Sequence, residues 1–91
     1  MDCVKVIFSG RVQGVGFRYR VLAVSRNHDI TGYVKNLPNE SVEVVACGQG
    51  EDSKNFIEEI RKAMGRYITD VRITNVSPGP SGEFSAFNIT Y

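Results

Sequence analysis

The period of the hydrophobic residues changes in a fixed order along this chain, and that order restricts the folds open to it. Val4, Val6 and Phe8 alternate as in a strand, from Cys3 to Ser9. A helical stretch runs from about Phe17 to Asn27, with Val21, Leu22 and Val24 or Ser25 on its inner face, and Asn27, His28 and Asp29 close it. A strand follows from Ile30 to Leu37, a Pro-Asn-Glu turn at Pro38 to Glu40 reverses it, and a valine-rich strand from Val42 to Cys47 completes a hairpin. Gly48 and Gly50 break that strand. Glu51, Asp52 and Ser53 then open a second helix whose apolar face is Phe56, Ile57, Ile60, Ala63 and Met64, with Gly65 at the position of a C-terminal cap. Strand spacing resumes near Ile68 to Val76, a Ser-Pro-Gly-Pro-Ser-Gly loop spans Ser77 to Gly82, and Phe87, Ile89 and Tyr91 alternate as a short terminal strand.

Strand, helix, strand, strand, helix, strand is the split βαβ order of the ferredoxin-like α+β sandwich. The expected architecture is βαββαβ plus a short terminal strand, an antiparallel sheet with two helices on one face. The 91 residues suit a single domain spanning residues 1–91, a length at which roughly two thirds of the unfolded chain's surface can be buried. Lys and Arg number 11 against 10 Asp and Glu, so the net charge of +1 gives no electrostatic reason to expect nucleic acid. Hydrophobic residues, 42% of the chain, form no run of membrane-spanning length and no secretory leader. The expectation is a soluble cytoplasmic monomer. The fold hosts many functions, so the chemistry must be read from a site.

The richest segment is Gly10-Arg11-Val12-Gln13-Gly14-Val15-Gly16-Phe17-Arg18, where an apolar strand enters a glycine-spaced turn that opens a helix. Glycines let successive backbone N–H groups point inward, the helix start adds its positive dipole end, and a guanidinium closes the ring. Two glycines alone read as a plain strand-to-helix connection. Arg18 argues for more, because a cation at a helix start is disfavoured by the dipole unless an anion sits between them.

Several phosphate-handling chemistries lack their residues. No Gly-Lys-Ser/Thr follows the glycines, so this is not a P-loop. The residue six after Cys3 is Ser9 and the residue six after Cys47 is Ser53, so neither cysteine opens a thiolate-phosphatase loop. His28 is the sole histidine and falls roughly 15 Å along the helix from Arg18, a capping or surface position. Carboxylates cluster on the second helix and at Glu40 without the spacing of a metal ligand set. An arginine, backbone amides and neutral polar side chains such as Gln13, Thr31 and Asn36 remain. They can position and stabilise a phosphoryl group but cannot protonate a poor leaving group. A carboxylate, whose parent acid has a pKa of about 4, needs no such help. A mixed carboxylic-phosphoric anhydride is the substrate class this chemistry favours.

The same glycine-rich stretch, taken with Gly32-Tyr33-Val34-Lys35-Asn36 and Val42-Glu43-Val44-Val45-Ala46-Cys47-Gly48, resembles the acylphosphatase family in both motifs, their separation and the chain length. The resemblance implies the ferredoxin-like sandwich and hydrolysis of a small-molecule acyl phosphate to carboxylate and inorganic phosphate, with no metal or organic cofactor. It also implies that Arg18 binds the substrate phosphate with the backbone amides of Gln13, Gly14, Val15, Gly16 and Phe17, and that Asn36 orients the attacking water. An asparagine amide both donates and accepts, as that role requires, although Asn36 beside Leu37-Pro38 otherwise reads as a plain turn asparagine.

One residue departs from the family pattern. The family usually has glycine four residues after the asparagine, where this chain has Glu40, and a positive φ there strains a glutamate. In the fold implied by the resemblance, the first and third strands are antiparallel neighbours. Cys3 would then face Cys47, Lys5 would face Val45 and Ile7 would face Glu43, which allows a cross-strand disulfide that a reducing compartment would oppose. Two rivals stand beside catalysis. Gly14-Val15-Gly16-Phe17-Arg18-Tyr19 superficially matches the glycine-aromatic motif of RNA-binding RRM domains, but it follows the first strand, and the third strand has no aromatic residue. A non-catalytic small-anion-binding module would need nearly the same cradle, and Asn36 alone speaks against it.

Overall fold

In the computed structural model, which describes residues 2–76 and 85–91, the period changes become β1 (Asp2–Gly10), α1 (Phe17–Ser25), β2 (Ile30–Asn36), β3 (Val42–Gly48) and α2 (Asp52–Met64). A short 3-10 turn (Gly65–Tyr67) leads into β4 (Ile68–Val76), and β5 (Phe87–Thr90) follows. The loop read at 77–82 lies outside the described residues.

The sheet order is β4-β1-β3-β2-β5. The expectation of a wholly antiparallel sheet is corrected at one edge. Among the described strands β1, β2, β3 and β4 pair antiparallel, but β5 runs parallel to β2, with Gly32 opposite Phe87 and Lys35 opposite Thr90. β4 and β5 occupy opposite edges, so β5 pairs with β2 and not with β4. A two-residue alternation is the same in either direction and cannot reveal which one is used.

Alternation assigns the faces. Val6, Phe8, Val34, Val42, Val44 and Ala46 point to the side covered by α1 and α2, where they pack with Val21, Val24, Phe56, Ile57 and Ile60. Each such valine, isoleucine or phenylalanine side chain contributes about 1.5–3 kcal/mol when fully buried, and together these residues form the main core. Phe8 meets Phe17 at 5.4 Å between ring centroids, which anchors the first residue of α1 on β1. His28 joins the two helices rather than serving the loop. Its Nε2 bonds Glu59 Oε1 at 2.8 Å and its ring packs on Phe56. The bond from His28, helped by Asn27, holds the exposed Glu59 carboxyl below its usual range.

The opposite face of the sheet carries a smaller cluster of Cys3, Val45 and Cys47 with Tyr33 and Val76 packed on it. Cys3 lies opposite Cys47, Lys5 opposite Val45 and Ile7 opposite Glu43. The two sulfurs are joined across a sequence separation of 44 residues. Tyr33 donates to Glu43 Oε2 at 2.6 Å. Burial, reinforced by that carboxylate, pushes its hydroxyl up to about 12.

Element ends show where backbone geometry overrode the sequence signals. α1 stops at Ser25 rather than near Asn27, because the amides of Arg26, Asn27 and His28 each reach back three residues and tighten the last turn. Gly65, expected to end α2 in a left-handed cap, instead has φ −54° and continues right-handed into the 3-10 turn. Ile68 N–H satisfies its carbonyl. β2 ends at Asn36, one residue before the expected Leu37, because Leu37 N–H turns to Ser41 O at 2.9 Å and closes the hairpin loop.

That loop places Glu40 at φ 71°, the left-handed conformation its turn position demands, and Glu40 N–H bonds Leu37 O at 3.2 Å. A non-glycine residue there carries roughly 1–2 kcal/mol of strain, partly offset in a Gly variant by the greater entropy of the unfolded chain. Glu40→Gly should therefore stabilise the protein by about 0.5–1 kcal/mol, read as a higher thermal midpoint. An equal or lower midpoint would contradict strain at this turn. Among the described residues no helix is long and apolar enough to cross a membrane.

Candidate active site

The loop after β1 takes its form from two glycines. Gly14 and Gly16 have φ 78° and 77°, and a Cβ at either would meet nothing within 4 Å. They are therefore required for backbone conformation rather than for space. Gly16 is also the N-cap of α1, in the left-handed conformation and without a side-chain cap, and no acidic residue stands in the first helical turn. Arg11 N–H is held by Tyr67 O at 2.8 Å, whereas the amides of residues 12 to 16 donate to no backbone carbonyl among the described residues. A run of free amides beside an uncapped helix start is a concave anion cradle.

Gly14, Gly16, Phe17 and Arg18 line a cavity of about 220 Å³ together with Val12, Tyr19 and Asn36. The structure thus gathers five of the residues expected at the site: Gly14, Gly16, Phe17, Arg18 and Asn36. Arg18 comes from the first turn of α1, and Asn36 is the last residue of β2. Asn36 shares the helix-facing side of β2 with Val34, two residues earlier, and so looks toward the loop. Its Oδ1 is the buried side-chain acceptor without a hydrogen-bond partner among the described residues. Such an atom costs about 1–3 kcal/mol of desolvation that no contact returns.

Gln13 and Val15, expected as backbone-amide donors, are not among the residues lining this cavity. Val15 lines a neighbouring groove. The Gln13 side chain is turned onto the hairpin, where its Nε2 donates to Leu37 O and to Ser41 O, each at 2.8 Å. Gln13 therefore fastens the loop that carries the amides to the turn that follows Asn36. Gln13→Ala should lower stability by about 1–2 kcal/mol, because both carbonyls keep a backbone partner while two bonds vanish. An unchanged melting temperature would remove this link.

Tyr91 was not legible as part of the site. Its ring lies 4.9 Å from the Arg18 guanidinium carbon, a face-on stacking that steadies the cation without neutralising it. The parallel pairing of β5 with β2 brings it there, because the two strands end side by side near Asn36. The only signal in the sequence was an aromatic residue at the end of the last alternating segment, and it becomes informative once strand direction is known.

The chain is similar to known proteins along nearly its whole length. The family model described as acylphosphatase matches residues 4–89. The chain is 39% identical over 88 residues to an acylphosphatase of Bacillus licheniformis, covering 96% of both sequences. It is 37% identical over 87 residues to one of Acaryochloris marina, covering 96% of this chain and 91% of the relative. Its fold superposes on the crystal structure of acylphosphatase from Bacillus subtilis with a TM-score of 0.85 and 32% identity, covering 100% of each chain. A cavity lined by two glycines, an arginine and an asparagine thus sits in a chain that matches these enzymes along nearly its whole length, and the chain belongs to the acylphosphatase family.

Proposed function

We propose that this enzyme hydrolyses acyl phosphates by direct attack of water on phosphorus, with Arg18 and the loop amides from Gln13 to Phe17 holding the phosphoryl group and Asn36 orienting the water. In the loose transition state, charge is spread over the three equatorial phosphoryl oxygens and grows on the departing carboxylate oxygen, and fixed N–H donors with a guanidinium hold the phosphoryl group without reorganising. The new P–O bond forms as the bond to the acyl oxygen breaks, and its electron pair leaves with the carboxylate. An acyl phosphate dianion and one water give one carboxylate and one dihydrogen phosphate, so the proton lost by the water ends on the phosphate. Asn36 can neither take nor give that proton near neutral pH, which confines it to positioning.

The observation that carries this reading is Asn36, which lines the cavity that also holds Arg18 and keeps a side-chain acceptor that no other described group uses. A purely structural asparagine would satisfy such an acceptor. The test is hydrolysis of benzoyl phosphate with and without a chelator. Turnover unaffected by chelator is expected. No turnover would remove the enzymatic reading in favour of anion binding alone, and turnover abolished by chelator would overturn the metal-free mechanism.

A further inference from the structure

We infer that the groove beside the phosphate cavity receives the acyl part of the substrate, and that it selects acyl groups bearing a second negative charge. This rests on the acyl phosphate hydrolysis proposed above. The groove, of about 470 Å³, shares Gly16 and Tyr19 with the phosphate cavity and continues past them between α1 and the end of α2. An acyl group extending from a phosphate held on Arg18 has this route along the surface.

Its lining is cationic and aromatic. Arg20 projects from α1, Arg66 from the 3-10 turn after α2, and Tyr19 and Tyr67 supply ring surface, while no carboxylate among the described residues lines the groove. Tyr19 is 64% exposed. Neither Arg20 nor Arg66 forms an ion pair among the described residues, whereas Arg61 and Arg72 are each paired with a carboxylate at 3.4 Å. The Arg66 guanidinium lies 5.9 Å from the centre of the Tyr67 ring, which leaves its N–H fork free. Two unneutralised guanidiniums in a groove adjoining an anion cradle match a carboxylate or phosphate at the far end of the acyl chain, and a guanidinium recognises either through paired N–H bonds.

The test compares benzoyl phosphate with 4-carboxybenzoyl phosphate, which differ by the added charge. For the wild type, KM for the carboxylated substrate should be about fivefold lower, the scale of an exposed ionic contact, and the preference should shrink with added salt. In the Arg20→Gln/Arg66→Gln double variant the preference should vanish, while benzoyl phosphate turnover and inhibition by inorganic phosphate stay at wild-type levels. The corresponding Lys double variant should restore part of it. Equal KM values in the wild type, or a preference that survives the double variant, would overturn the inference. Failure of the wild type to hydrolyse either compound would overturn the hydrolytic reading itself.

Discussion

Asn36→Ala should lower kcat for benzoyl phosphate by about 10²–10³-fold, with little change in KM, while raising the melting temperature. Both effects come from the same side chain. The buried, partnerless Oδ1 is a liability in the folded protein, so its removal should add about 1 kcal/mol of stability. The truncation also removes the cavity-lining amide proposed to align the attacking water, a loss felt only as the new bond forms. Arg18→Ala should behave differently, lowering kcat and raising KM together and weakening inhibition by inorganic phosphate, because the guanidinium grips the phosphate before and during reaction. Steady-state kinetics and thermal melts on the two variants separate these outcomes. An Asn36→Ala enzyme with near wild-type kcat would remove the water-orienting role, and one that melts lower would show that the asparagine holds the fold.

The parts of the site legible in the sequence are those whose signals are local. Gly14, Gly16 and Arg18 occur within five consecutive positions at a change of hydrophobic period, where a left-handed backbone and a helix start follow from adjacent residues. Glu40 was readable only as a departure from the family's glycine, and its φ of 71° agrees with the strain expected there. Apart from the β1–β3 register, which the family resemblance implied, contacts made across the sheet were not legible. Gln13 bonds backbone carbonyls 24 and 28 residues away, and a carbonyl has no side-chain identity for a pattern to detect. Tyr91 reaches Arg18 only because β5 lies parallel to β2. Strand direction is set by the route of the chain over the sheet, not by alternation. Asn36 lies between these cases: its position was visible, but its role depended on the family motif around it until burial singled out Oδ1.

Reduction of the Cys3–Cys47 bond should destabilise the protein by about 2–4 kcal/mol, roughly 10–20 °C in melting temperature for a domain of this size, and leave turnover at 25 °C unchanged. The bond closes a loop spanning a sequence separation of 44 residues, so its main effect is to restrict the unfolded chain. The folded sheet does not need it for register: Val4 through Phe8 still pair with Ala46 through Val42 by backbone bonds, and the covered face packs the main core. Activity should be spared by distance. Cys3 is at the start of β1 and the cradle follows its end at Gly10, roughly 23 Å away along an extended strand, and the sulfurs lie on the face opposite the helices. A Cys3→Ser/Cys47→Ser variant should melt with the reduced wild type and ignore reductant. Two titratable thiols in the unfolded, unreduced protein, or a melting temperature indifferent to reductant, would show that the bond does not form in solution. A fall in kcat on reduction, with the protein still folded, would instead show that the two ends of β1 are coupled.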